Sequence, residues 1–166
     1  MKSKKQFLVE IGALRRHPGS RRELHLEGVL AGLEVSFAAV APDQIIDLEA
    51  VLEQVHEGIL VTGKLHTRWH GECGRCLMPA EGALEAEIRE LYAEKIDDEM
   101  VYKMNSEVMD LEPLVHDACI LNLPLSPLCK SNCKGLCPMC GANLNEESCG
   151  CKTPNDPRWA PLSFLK

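Results

Sequence analysis

Residues 59–69 read Ile-Leu-Val-Thr-Gly-Lys-Leu-His-Thr-Arg-Trp, and their alternation points to the fold class. Ile59, Val61, Leu65 and Trp69 fall on one face of an extended chain, while Lys64, His66 and Arg68 fall on the other. A second alternating run follows, with Leu84, Ala86 and Ile88 set against Glu85, Glu87 and Arg89. Between the runs stands Cys73-Gly74-Arg75-Cys76. Strand, cysteine knuckle, strand predicts an antiparallel hairpin with two thiols at its turn. The cationic face of the first strand then meets the anionic face of the second.

Upstream, Leu24 and Leu26 alternate with Glu23, His25 and Glu27, which predicts another half-buried strand. Residues 44–56 fit two templates. Ile45, Leu48, Leu52 and Val55 make a helical stripe, yet Ile46, Leu48, Ala50 and Leu52 alternate as in a strand. Periodicity leaves the choice open. Downstream, residues 97–109 are charged and lack a firm period, which predicts an exposed loop. Asp110 is then a suitable helix N-cap and Pro113 suits the first turn. Leu111, Leu114, Val115, Ala118 and Leu121 follow helical spacing, and Pro124 and Pro127 end the run. Cys119, inside this helix, reads as a small buried apolar residue. These elements predict an α+β chain: mainly antiparallel β-sheet or a partly open barrel over 1–128, with one helix at about 110–123. A cysteine-rich zinc module follows over 129–152. Trp159, Leu162, Phe164 and Leu165 make the tail, 153–166, apolar enough to pack back.

Charge narrows the function. The net charge is −7. Residues 1–22 carry seven basic side chains against one acidic one, whereas 81–112 carry eleven acidic against three basic. A general nucleic-acid coat protein would be basic throughout. This chain offers RNA a basic end and offers a basic protein an acidic face. The opening residues lack a secretory signal, and no run of about 18 apolar residues exists to span a membrane. A cytoplasmic setting with reduced thiols is therefore expected, which turns the nine cysteines toward metal instead of disulfides.

Eight of those cysteines form close pairs: Cys73 with Cys76, Cys129 with Cys133, Cys137 with Cys140, and Cys149 with Cys151. Structural zinc takes four thiolate or imidazole ligands in a tetrahedron. The favoured division is Cys73, Cys76, Cys129 and Cys133 for one ion, and Cys137, Cys140, Cys149 and Cys151 for another. The second set is nearly consecutive, so its loop-closure cost is low. One zinc with spare thiols, or an exchange of Cys133 and Cys137 between sites, stays open. The stretch Leu136-Cys137-Pro138-Met139-Cys140-Gly141 also resembles a rubredoxin-type iron knuckle, although no aromatic residue adjoins either knuckle in the sequence. Four protein ligands per ion would leave no open position for catalysis. The six histidines show no metalloprotease spacing, and no nucleophile elbow or phosphate loop is present. No enzyme and no small-molecule substrate are expected.

The segments Gly71-Glu72-Cys73-Gly74-Arg75-Cys76-Leu77 and Asp110-Leu111-Glu112-Pro113-Leu114 carry a further signal. So do Cys133-Lys134-Gly135-Leu136-Cys137-Pro138-Met139-Cys140-Gly141 and Asp156-Pro157-Arg158-Trp159-Ala160-Pro161-Leu162. In this order they resemble the YceD family, the large ribosomal RNA subunit accumulation proteins. The resemblance implies a bacterial cytosolic, non-catalytic factor for synthesis, processing or stability of 23S ribosomal RNA and for large-subunit assembly. It also implies a strand for residues 44–56 and favours the division of cysteines given above. Expected partners are large-subunit RNA, a basic large-subunit ribosomal protein, or both. Candidate phosphate-binding residues are Lys130, Lys134 and Arg75 at the knuckles, with Arg15, Arg16, Arg21 and Arg22 near the start. A different class of function, a zinc-ribbon adaptor serving some other machine, fits the same cysteines.

Overall fold

The computed structural model describes residues 6–94, 101–105, 107–151 and 158. Its centre is the expected hairpin, formed by β5 (Ile59–Glu72) and β6 (Pro79–Ala93), paired antiparallel along its whole length from Ile59↔Tyr92 to Glu72↔Pro79. Residues 44–56 form β4 (Ile46–Gln54), a strand. Ile46, Leu48, Ala50 and Leu52 are all buried, whereas Ile45 of the competing helical stripe is 54% exposed. The strand wins because it has partners on both sides, β5 on one and β2 (Arg21–Gly28) on the other.

The sheet runs β2-β4-β5-β6-β7, with β3 (Ala38–Ala39) added beside the far end of β5 and β7 (Tyr102–Lys103) joined parallel to β6. It is therefore mixed at one edge, and it does not close. β2 and β7 stand at opposite edges, so the partly open barrel expected from the sequence is an open sheet. Other elements cover the apolar face. They are a ribbon of β1 (Leu8–Glu10) with β8 (Val108–Asp110), the short α1 (Gly12–Arg15), and α2 (Glu112–Asn122). Among the described residues there are two helices where one was expected, and the described part of the loop expected over 97–109 contributes two short strands with Met104 and Met109 buried.

Burial follows the alternation. Val61 and Leu65 of β5 and Leu84, Ala86 and Ile88 of β6 are buried, together with Phe7, Ile11, Leu111, Leu114, Val115 and Cys119 from the covering layer. Cys119 is the small core residue expected of it, and burial pushes its thiol up to about 11. Leu121 is not in the core as its spacing predicts; it is 82% exposed, and Ile120 packs inward instead. At the start of α2, Leu111 occupies the N-cap, while the Asp110 carboxylate accepts the Glu112 N–H at 3.0 Å. The hydrogen bond expected of Asp110 is present, one position upstream of its formal place. On the open face His66 lies opposite Glu85, with ring and carboxylate 3.9 Å apart, and Arg68 reaches Glu81 at 3.8 Å. These pairs are exposed, so each contributes little.

β4 accompanies β5 only as far as His66. Beyond it the hairpin projects past the main sheet, with β3 alongside at His70 and Gly71. The projecting tip carries Cys73 and Cys76. The tail over 153–166, expected to pack back, lies outside the described residues except for Arg158.

Close strand approach makes one residue decisive. A Cβ at Gly63 would stand 2.2 Å from the Glu49 carbonyl oxygen and 2.8 Å from the Ala50 Cα. Gly63→Ala should therefore lower stability by about 1–3 kcal/mol, read as a lower urea midpoint. An unchanged midpoint would contradict this picture of the β4–β5 crossing.

Candidate metal centres

The hairpin tip is a tight knuckle. The Cys73 N–H donates to the Met78 carbonyl at 2.8 Å, and the Leu77 N–H donates back to the Cys73 carbonyl at 2.9 Å. Both Cys73 and Cys76 are buried there. After α2 the chain turns at Leu123 and passes along the same tip, where the Gly74 N–H donates to the Pro127 carbonyl at 2.8 Å. That contact delivers Cys129 and then Cys133 to the first two thiols.

Cys73 Sγ lies 3.7 Å from Cys133 Sγ, and Cys76 Sγ lies 3.5 Å from Cys129 Sγ. All four sulfurs lie within 4.8 Å of one another. A tetrahedral ion with metal–sulfur bonds of about 2.3 Å requires sulfur–sulfur edges of about 3.8 Å. A disulfide would need about 2.05 Å, and all nine cysteines are free. Cys137, Cys140, Cys149 and Cys151 form a second group, also within 4.8 Å of one another. The structure thus brings together the two sets favoured from the sequence, and each can hold one metal ion.

The second group uses the same knuckle. The Cys137 N–H donates to the Ala142 carbonyl at 2.8 Å, and the Gly141 N–H donates to the Cys137 carbonyl at 2.9 Å. In both knuckles the residue after the second cysteine has a positive φ: 74° at Gly141 and 61° at Leu77. Glycine meets this conformation at no steric cost, whereas leucine meets it with strain.

Electrostatics set the neighbouring sulfurs of each group apart. Burial pushes the Cys73 thiol up, but backbone hydrogen bonds from Cys129, Arg75 and Cys76 hold it down to about 6. Backbone N–H groups of Cys140 and Met139 hold Cys137 down to about 6 as well. Their neighbours move the other way. Hydrogen bonding to Cys76, with burial, pushes Cys129 up to about 12, and hydrogen bonding to Cys140, with burial, does the same to Cys151. Without a positive ion, four adjacent thiols share charge instead of all ionising.

Two neighbours of the first group were invisible in the sequence. Trp69 packs against it with Leu128 and Leu136, so an aromatic side chain does adjoin the sulfurs in space. Asn145, from the loop between Cys140 and Cys149, donates from Nδ2 to Cys133 Sγ at 3.4 Å. Trp69 stands only four residues before Cys73, but the hairpin tip must fold before the two meet, and Asn145 is twelve residues from Cys133.

The candidate phosphate-binding residues divide. Lys130, Lys134 and Arg16 are exposed. Arg75 donates to the Cys133 carbonyl at 2.9 Å, which makes it a strut between the knuckles. Arg15 pairs with Glu94 at 2.6 Å, Arg22 donates to the Glu10 carbonyl at 2.8 Å, and Arg21 lies 3.7 Å from Glu53. The seven basic residues therefore do not form one surface that is free of internal partners. A third set, His25, Glu27 and Asp47, lies on the open sheet face, where His25 Nε2 contacts Asp47 at 2.7 Å.

Residues 61–166 match the family described as Large ribosomal RNA subunit accumulation protein YceD. The chain belongs to the YceD family. It is 39% identical over 163 residues to an uncharacterized protein of Mycobacterium tuberculosis, covering 93% of this chain and 78% of that one. An uncharacterized protein of Mycobacterium leprae is 30% identical over 166 residues, covering 95% and 76%. A maize protein named Large ribosomal RNA subunit accumulation protein YCED homolog 1, chloroplastic, is 39% identical over 67 residues, covering 40% of this chain and 23% of its own. No solved structure gives a significant match. The YceD match takes in the hairpin tip, α2 and both sulfur groups. Among the described residues, no helix is long and apolar enough to cross a membrane.

Leu77 provides a test of the knuckle geometry. It is 56% exposed, so truncating it removes little packing. Leu77→Gly should raise stability by roughly 0.5–1 kcal/mol, as relief of left-handed strain exceeds glycine's extra chain entropy. A lower thermal midpoint in the metal-loaded protein would contradict this.

Proposed function

We propose that this YceD-family protein is a non-catalytic cytoplasmic factor supporting 23S ribosomal RNA accumulation and large-subunit assembly. Two zinc ions, one in each four-cysteine group, hold its recognition end in shape. The observation that carries this reading is the pair of sulfur cages. Four thiolates at tetrahedral spacing suit zinc, a redox-inert ion that accepts sulfur ligands. When bound, zinc would neutralise the thiolates and stiffen the knuckles. With all four positions filled by protein, it would have no place for a substrate. Cys73, Cys76, Cys129 and Cys133 would hold one ion, and Cys137, Cys140, Cys149 and Cys151 the other.

Lys130 and Lys134 project from the segment that the zinc ions would fix, and both are exposed. A lysine on a rigid loop loses less freedom when it meets a phosphate than one on a mobile loop. The ribosomal RNA reading draws its support from family membership and from the names of the plant relatives. The acidic open face of the sheet suits a second partner, a basic ribosomal protein.

Binding of zinc-loaded protein to a 23S ribosomal RNA transcript, measured over a range of salt concentrations, tests the proposal. Affinity should fall linearly with salt on logarithmic axes. Lys130→Ala with Lys134→Ala should reduce the slope by about 2, roughly one for each phosphate that is no longer neutralised. No detectable binding at low salt would overturn the RNA reading and turn attention to an adaptor role.

A further inference from the structure

The two sulfur groups sit in different surroundings. Cys73, Cys76 and Cys133 are 0%, 4% and 3% exposed, with Ala80 buried beside them and Trp69, Leu128 and Leu136 packed against them. In the second group Cys140 and Cys151 are exposed, Cys149 is half-buried and Cys137 is buried. Among the described residues, neither apolar cluster includes any member of that group. A side chain built at Gly141 or Gly150 would meet nothing within 4 Å, and Met139 is 59% exposed, so it does not act as a lid. In the first group three cysteines are buried and Cys129 is half-buried, whereas the second group has two exposed cysteines and one buried.

We propose that the Cys137, Cys140, Cys149 and Cys151 site is an oxidant-responsive metal site, at which a peroxide joins Cys140 to Cys151 and expels the ion. The Cys73 site keeps its ion. This rests on the reading that both groups hold zinc. The thiolate is the nucleophile toward peroxides, and access to it selects which cysteine reacts. Cys140 Sγ attacks one oxygen of hydrogen peroxide and breaks the O–O bond, giving a sulfenic acid and hydroxide. Cys151 Sγ, within 4.8 Å of Cys140 Sγ and likewise on an exposed residue, attacks that sulfur, forms the disulfide and releases a second hydroxide. Two electrons pass from the two sulfurs to the peroxide, and two protons from solvent turn the hydroxides into water. The ion keeps only Cys137 and Cys149 and dissociates.

The change should remain local. The Leu144 N–H donates to the Gly135 carbonyl at 3.0 Å, and the Lys134 N–H donates to Asn145 Oδ1 at 2.9 Å. Leu136 also bridges to Asn143. These bonds hold residues 143–145 against residues 134–136, just after Cys133 of the first group, without any sulfur of the second group.

The test uses the full chain loaded with zinc, exposed to hydrogen peroxide. A chromogenic chelator follows zinc release, and peptide mass spectrometry maps disulfides. One of two zinc equivalents should leave at least roughly tenfold faster than the other, together with a Cys140–Cys151 disulfide. Cys140→Ser with Cys151→Ser should hold one zinc and lack the fast phase. Release of both ions together, a first disulfide among Cys73, Cys76, Cys129 and Cys133, or a fast phase surviving in the variant would overturn the inference while leaving two-zinc binding intact. A wild-type protein isolated with fewer than two zinc ions would instead overturn the zinc reading on which it rests.

Discussion

The constraint on which the rest depends is the meeting of four sulfurs from two segments that are distant along the chain. Cys73 and Cys133 are separated by 60 positions and stand 3.7 Å apart. Four thiolates held that close repel one another unless a cation lies between them. The segment that supplies half of them has little else to fold around. Between 129 and 151 the buried positions are Cys133, Gly135 and Cys137 alone. Such a stretch cannot offset its ordering entropy with apolar burial, so a metal ion is the interaction able to fix it. The sheet supplies the anchor, and an ion held by the four sulfurs would supply the join.

The sheet's geometry serves that join. β4 stops accompanying β5 at His66, and the hairpin runs on to the knuckle at Cys73. α2 covers the apolar face and ends at Asn122, after which Leu123 is buried and the chain turns toward the same tip. Arg75 and Gly74 then fasten the two segments through the Cys133 and Pro127 carbonyls. A residue that reads from sequence as a phosphate ligand, Arg75, is thereby partly committed to structure.

What could be read from sequence was what repeats locally. The alternation of Ile59, Val61 and Leu65 with Lys64 and His66, closed by a cysteine pair, is a short-range pattern, and it located the hairpin. The division of the cysteines followed from spacing and family resemblance. Residues 44–56 stayed ambiguous because Leu48 and Leu52 belong to both a helical and a strand pattern; only pairing with β2 and β5 separates the two. β1, β3, β7 and β8 are two or three residues long and exist because distant segments pair with them, so no local run announces them. Leu121 obeys helical spacing but lies in the last turn of α2, where Ile120 takes the inward position. Leu77 is a different case. It occupies the place that Gly141 occupies in the second knuckle, and comparing the two knuckles side by side would have marked it as a strained position.

Zinc X-ray absorption on the full chain tests the central claim most directly. Two zinc ions per chain are expected, each with four sulfur neighbours at about 2.3 Å and no nitrogen or oxygen in the inner shell. Iron in place of zinc, a mixed ligand shell, or metal-free protein whose cysteines are joined in disulfides would contradict it.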